Sequence, residues 1–280
     1  MHSSNPVFSR SAGFNGRSQT AQQGYSHPST WGVGTPGQPG QPGPSTTVDQ
    51  GPMTIDSVVQ KTGMTLGLVV LAAAATWYLT GDIKPETMGT LYMLALGGAL
   101  IGFALAMVNS FKKVISPALV MAYAVVEGVF VGAFSKVIEA QFGDGTGGLV
   151  VGAVLGTVAA TAGTLAAYKF FDIQVTPKFR KFVICAMFGF VALSMLNFVL
   201  GFFGASFGFN GFGTMGLISS VVGLGIGILM LILDFDFVER GIAAALPERE
   251  SWRAAFGLTV TIIWIYIELL RILAILRGSD

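Results

Sequence analysis

Two glutamates stand where acids are costly. Glu127 lies in Tyr123-Ala124-Val125-Val126-Glu127-Gly128, and Glu268 in Trp264-Ile265-Tyr266-Ile267-Glu268-Leu269-Leu270-Arg271, each inside a long apolar run. A carboxylate in the middle of a membrane-spanning helix costs about 2.5–3.5 kcal/mol on insertion scales, which makes it a functional candidate. At 1.5 Å per residue, Glu127 is about 21 Å beyond Lys113 and Glu268 about 22 Å beyond Arg253. Both runs start from the same side, so the two carboxyls fall at one depth. Asn197, about 24 Å beyond Lys181, reaches that level too. Three polar groups at one level form a candidate ion pathway or gate, with Arg271 three residues from Glu268.

A second acidic feature ends the sixth run, Leu233-Asp234-Phe235-Asp236-Phe237-Val238-Glu239-Arg240. Asp236 shares a helix face with Glu239 and Arg240, the pattern of a solvated face with an i,i+4 ion pair. Asp234 is turned roughly 200° from Asp236 and points into the bundle, at the inner mouth of the pathway. Buried carboxylates can bind a hard cation through oxygen ligands or carry protons, and a pair sharing one proton titrates as a unit. Glu127, Glu268 and Asp234 are the candidate metal ligands. Their small number points to weak transit binding of calcium rather than storage.

A structural reading accounts for the same residues. Glu268 and Arg271 can pair on one helix face, with Arg271 snorkelling to the interface. Glu127 can donate a hydrogen bond to a backbone carbonyl, and Asn197 can join two helices.

The elements that must position these groups are membrane helices. Of 280 residues, 52% are hydrophobic and 11% charged, with 38 further glycines. Soluble domains run at about 25% charged, so a soluble globular enzyme is excluded. The net charge of +1 offers no field for nucleic acid. The single cysteine has no partner for a disulfide or zinc site. Seven apolar runs approach the ~20 residues that cross a bilayer: 62–79, 88–108, 114–138, 148–171, 182–204, 215–234 and 255–276. Glycines at spacing four, among them Gly98/Gly102 and Gly223/Gly227, suit close helix packing.

Residues 1–60 form a tail with nine glycines and seven prolines, both histidines (His2 and His27) and a composition that predicts disorder. Residues 61–280 form the membrane domain. Ten lysines and arginines fall on the amino-terminal side of the runs, against Lys84, Lys136, Arg271 and Arg277 on the other. That bias places the amino terminus in the cytoplasm and the carboxyl end outside. There is no HExxH, GxSxG or Walker loop and no lysine in the seventh run for a retinal. An enzyme is not expected, nor a cofactor beyond transient Ca2+.

The order of these features resembles the transmembrane Bax inhibitor motif family, in its bacterial branch. It rests on the Glu-Gly pair of the third run, Leu233-Asp234 ending the sixth, and Leu269-Leu270-Arg271 in the last, over roughly residues 60–277. The resemblance implies an all-α seven-helix bundle with the last helix central, wrapped by the other six. It also implies a pH-sensitive calcium leak, gated by paired acids on the sixth and seventh helices near the cytoplasm. Some bacterial members instead restrain a membrane-bound ATP-dependent protease. Asp234 matches the sixth-helix acid, with Asp236 where Gln is usual. The family's spacing puts the seventh-helix acid near Thr261, whereas the Tyr-x-acid pattern selects Glu268, too deep to reach Asp234. The leading expectation is a proton-sensitive calcium or cation leak in a bacterial inner membrane. Its partners are then lipid, calcium ions and protons. The alternative is a non-conducting regulator of another membrane protein.

Overall fold

The computed structural model describes residues 51–205 and 207–278, so the tail through residue 50, with both histidines, lies outside the described residues. Those described form seven helices and no strand: α1 (Ile55–Leu79), α2 (Pro85–Phe111), α3 (Pro117–Phe142), α4 (Gly148–Phe170), α5 (Pro177–Gly201), α6 (Thr214–Ala243) and α7 (Glu250–Gly278). All seven are long and apolar enough to cross a membrane.

The local sequence explains where they start. Proline opens α2, α3 and α5, at the position where its missing N–H costs nothing. Thr54 and Ser57 cap α1 reciprocally: Ser57 N donates to Thr54 Oγ1 at 3.1 Å and Thr54 N to Ser57 Oγ at 3.2 Å. The helices overrun the hydropathy runs because apolarity marks only the hydrocarbon depth. α1 starts at Ile55 rather than 62, and α6 continues to Ala243 rather than 234. Residues 53–60, assigned to the tail by composition, belong to this domain. Met53 is 1% exposed, and its N–H donates to Leu246 O at 2.7 Å.

α7 is the central helix. In its membrane-spanning window 61% of residues are buried, against 17% in α1, α2 and α5. Its backbone runs beside α1, α3, α4 and α6, four of the six helices expected around it, while α2 packs on α3 and α5 on α6. Glycines set the tightest seam. A methyl group at Gly128 would stand 2.5 Å from Val69 O and one at Gly132 2.6 Å from Ala73 O, so α3 and α1 meet backbone to backbone. Thr65 Oγ1 and Thr259 Oγ1, 2.7 Å apart, join α1 to α7.

Cations tie the connections at one end of the bundle. Lys61 Nζ donates to Glu248 Oε1 at 2.8 Å, Arg249 Nε to Ile115 O at 2.8 Å, Arg253 Nη2 to Lys113 O at 3.0 Å and Arg240 Nη2 to Val175 O at 2.7 Å. At the other end Lys136, expected as an exposed charge, is 1% exposed. Its Nζ donates to Trp77 O at 2.8 Å, Thr80 Oγ1 at 2.7 Å and Gly81 O. It thereby caps the carboxyl end of α1, where the helix dipole favours a cation. Lys136→Met removes the cation from that helix end, where Trp77 O keeps only the longer bond from Thr80 Oγ1 at 3.3 Å, and a loss of about 1–3 kcal/mol in stability is expected, read as a lower thermal unfolding midpoint in detergent.

Candidate functional site

The two acids expected at mid-membrane depth lie on α3 and α7, and their surroundings differ. Glu268 Oε2 accepts a hydrogen bond from Arg271 Nη1 at 3.1 Å, with side chains only 7% and 9% exposed. Arg271 does not snorkel. Its Nη2 donates to Phe209 O at 3.2 Å, Gly211 O at 3.3 Å and Ser219 Oγ at 3.5 Å, so it pins the α5–α6 connection onto the bundle. Asn197 serves the same connection: its Oδ1 accepts from Phe207 N at 3.2 Å, and it does not line the groove that holds the acids. Nearby, Asn210 Nδ2 donates to Ser194 O at 2.8 Å.

Glu127 is half-buried and has neither a hydrogen bond nor an ion pair. Its Oε2 lies against Gly102 of α2, where a methyl group would stand 2.5 Å away. Glu268 likewise lies against Gly223 of α6, where a methyl group would stand 2.7 Å from Oε1. These two glycines, read from sequence as packing alone, make room for the carboxyls. Glu127 and Glu268 line one groove of about 460 Å³, with Tyr123 of α3, Phe190 of α5 and Trp264 of α7. α2 and α5 form its sides and do not pack on each other, so it opens laterally between them.

Asp234 is elsewhere. Its Oδ2 accepts from Thr261 Oγ1 at 2.6 Å, in the α6–α7 seam. The position where the family resemblance implies a second acid is therefore a hydroxyl that bonds the first, and Glu268 has Arg271 instead. Asp236 instead lines a cavity of about 480 Å³ at the carboxyl end of α6, together with Asp172, Glu239 and Arg240. The solvated face expected for Asp236 is corrected: it is 5% exposed and takes Arg180 Nη2 at 2.7 Å as well as the expected Arg240, Nε at 2.8 Å. Two arginines explain how this charge can be buried. Among the described residues no three His, Cys, Asp or Glu side chains converge as a metal site. The proposed ligands divide into a pair at the groove and Asp234 apart.

Sequence reasoning missed a second buried polar cluster on α3. Glu139 is fully buried, its Oε1 accepting from Gly147 N at 3.0 Å and its Oε2 without a partner. One turn back, Ser135 Oγ and Tyr266 OH of α7 stand 2.7 Å apart. The signal was present: Lys136 and Glu139 precede the first loop glycine, Gly143, and enclose the apolar pair Val137 and Ile138. In the adjoining loop, Asp144 accepts from the hydroxyl and amide of Thr146 and from Arg277 Nη2 at 2.7 Å. The two Thr146 hydrogen bonds first, then Arg277, hold its carboxyl well below the usual carboxylate range.

The buried Glu268–Arg271 pair makes a test. Removing one member strands the other, so Arg271→Met alone is expected to cost about 3–5 kcal/mol, whereas Arg271→Met with Glu268→Leu recovers most of it. A double-mutant cycle of unfolding in detergent measures the difference.

The comparisons agree with this architecture. A protein-family model described as Bax inhibitor 1 like matches residues 5–278, further into the tail than the sequence features that carried the resemblance. An uncharacterized protein of Chlamydia muridarum (strain MoPn / Nigg) is 29% identical over 220 residues, 75% of this chain and 87% of the relative. With seven helices long and apolar enough to cross a membrane, the last of them central, and a family match over nearly its whole length, the chain belongs to the Bax inhibitor 1 like family.

Proposed function

We propose that the protein is a pH-sensitive cation leak, for calcium first, in a bacterial inner membrane. One observation carries this reading: two carboxyls from different helices share a single groove at bilayer depth, and one of them, Glu127, has no protein partner. An unpaired carboxylate there attracts a cation, and the oxygens suit a hard one. Glu268, tethered by Arg271, can exchange that arginine for a passing ion, which loosens the α5–α6 connection held by the same guanidinium. Asp234, bonded to Thr261, is the corresponding proton-sensitive contact towards the inner end. Two weakly held carboxyls suit transit rather than storage.

The orientation keeps the amino terminus in the cytoplasm. Lys136 and Arg271, counted among the outer charges, are buried structural cations. Removing them from the count sharpens the lysine and arginine bias towards the amino-terminal side.

Calcium entry into liposomes holding a calcium dye tests this, from pH 6 to pH 8. Protonation removes the charge that attracts the cation, so entry is expected to fall as pH falls. Besides the two glutamates, the titratable and charged groups at the groove are Tyr123 and, behind Glu268, Arg271. α2 and α5 supply no charged lining residue. Glu127→Gln and Glu268→Gln are each expected to reduce entry several-fold and flatten its pH dependence, and Asp234→Asn to shift the pH dependence. No flux above empty liposomes, from folded and inserted protein, would overturn the leak in favour of a non-conducting regulator of another membrane protein.

A further inference from the structure

The groove between α2 and α5 has a property that ion passage does not use. It is open on its side, towards the hydrocarbon, and that flank is apolar. Leu96, Leu100 and Phe103 on α2 and Met195 and Phe198 on α5 line it and are exposed. Deeper in the groove stands a carboxyl with no protein partner, Glu127. Trp264 and Phe190 line it too, with ring centroids 5.6 Å apart, and Phe190 meets Glu268 at Gly223. The volume, about 460 Å³, falls within the range of small-molecule sites.

We propose that this groove binds a single-chain amphiphile with a cationic head group, a long-chain amine, which enters sideways from the bilayer. The apolar flank takes the chain. The ammonium is placed at Glu127, the carboxyl with no ion pair, where charge complementarity favours a cation; Tyr123, one turn away on α3, lines the same groove. An anionic head group would meet two carboxylates, of which only Glu268 is neutralised, by Arg271. A neutral head group gains no charge pairing.

A second lateral groove supplies the contrast. It lies between α1 and α4, with a volume of about 400 Å³, and its polar side chains, Ser135, Thr157, Tyr266 and Trp77, are all uncharged. With no carboxylate, it offers an ammonium no charge pairing. The proposal rests on the groove's geometry and stands or falls without conduction, because its test measures no flux.

The test uses the full chain in zwitterionic vesicles, with tryptophan quenching by dodecylammonium brominated along its chain. Dodecanol and dodecanoate carrying the same bromines serve as neutral and anionic controls at equal membrane concentration. The ammonium is expected to quench the Trp264 component, taken as the difference between wild type and Trp264→Phe, at least threefold more than either control. Glu127→Gln is expected to erase that preference and Glu127→Asp to keep it. Should Glu127→Gln fail to insert, Ala99→Phe, which fills the groove and leaves the carboxyl in place, is expected to remove quenching by all three probes. Equal quenching of Trp264 by ammonium and alcohol would overturn the proposal, as would a preference that survives in Glu127→Gln.

Discussion

A charge carried into hydrocarbon must find its partner within the protein, because the bilayer supplies none. Much of this molecule follows from that constraint. Arg271 answers Glu268 and, with its second nitrogen, the carbonyls of the α5–α6 connection. Two arginines answer Asp236, Thr261 answers Asp234, and Gly147 N answers one oxygen of Glu139. Lys136 answers the open carbonyls at the end of α1. Charge and backbone are thus matched one to another, and each match also joins two elements of the fold. Among the described acids at that groove Glu127 is the exception, and it is the more exposed of the two.

The position of that exception follows from the helix packing. α7 is shielded by α1, α3, α4 and α6, while α2 attaches to α3 and α5 to α6, and a gap is left between α2 and α5. The gap exposes the one stretch of α7 that carries Trp264 and Glu268, and the turn of α3 that carries Glu127. Gly102 and Gly223 bring α2 and α6 against the two carboxyls. A larger side chain at either position would press on the acid, so these glycines belong to the site as well as to the packing.

Much of this was legible in the sequence. Seven apolar runs give seven helices, because length and apolarity alone decide whether a helix can span. The common depth of Glu127 and Glu268 came from a fixed rise per residue in long helices, and both do line one groove. Glu268 and Arg271 pair because three residues bring them to one face. What escaped was long-range. Arg180 reaches Asp236 across 56 residues of sequence, so a local pattern suggested a solvated acid. Arg271 looked like an interfacial charge because nothing in the glycine- and phenylalanine-rich segment between α5 and α6 announces that it folds inward. Thr261, found where an acid was implied, acquires its meaning only from the 2.6 Å bond to Asp234.

The central claim is that a cation in water reaches an unpaired carboxyl at position 127. Glu127→Cys in a Cys185→Ser background places a thiol there, and a water-soluble cationic thiol reagent applied to proteoliposomes reports access to it. The native Cys185, exposed on the lipid-facing surface of α5, provides the reference rate. Reaction at 127 faster than at Cys185 is the expected result. Reaction no faster than at Cys185, in protein shown to be folded and inserted, would contradict a water-accessible site and leave the groove to lipid alone.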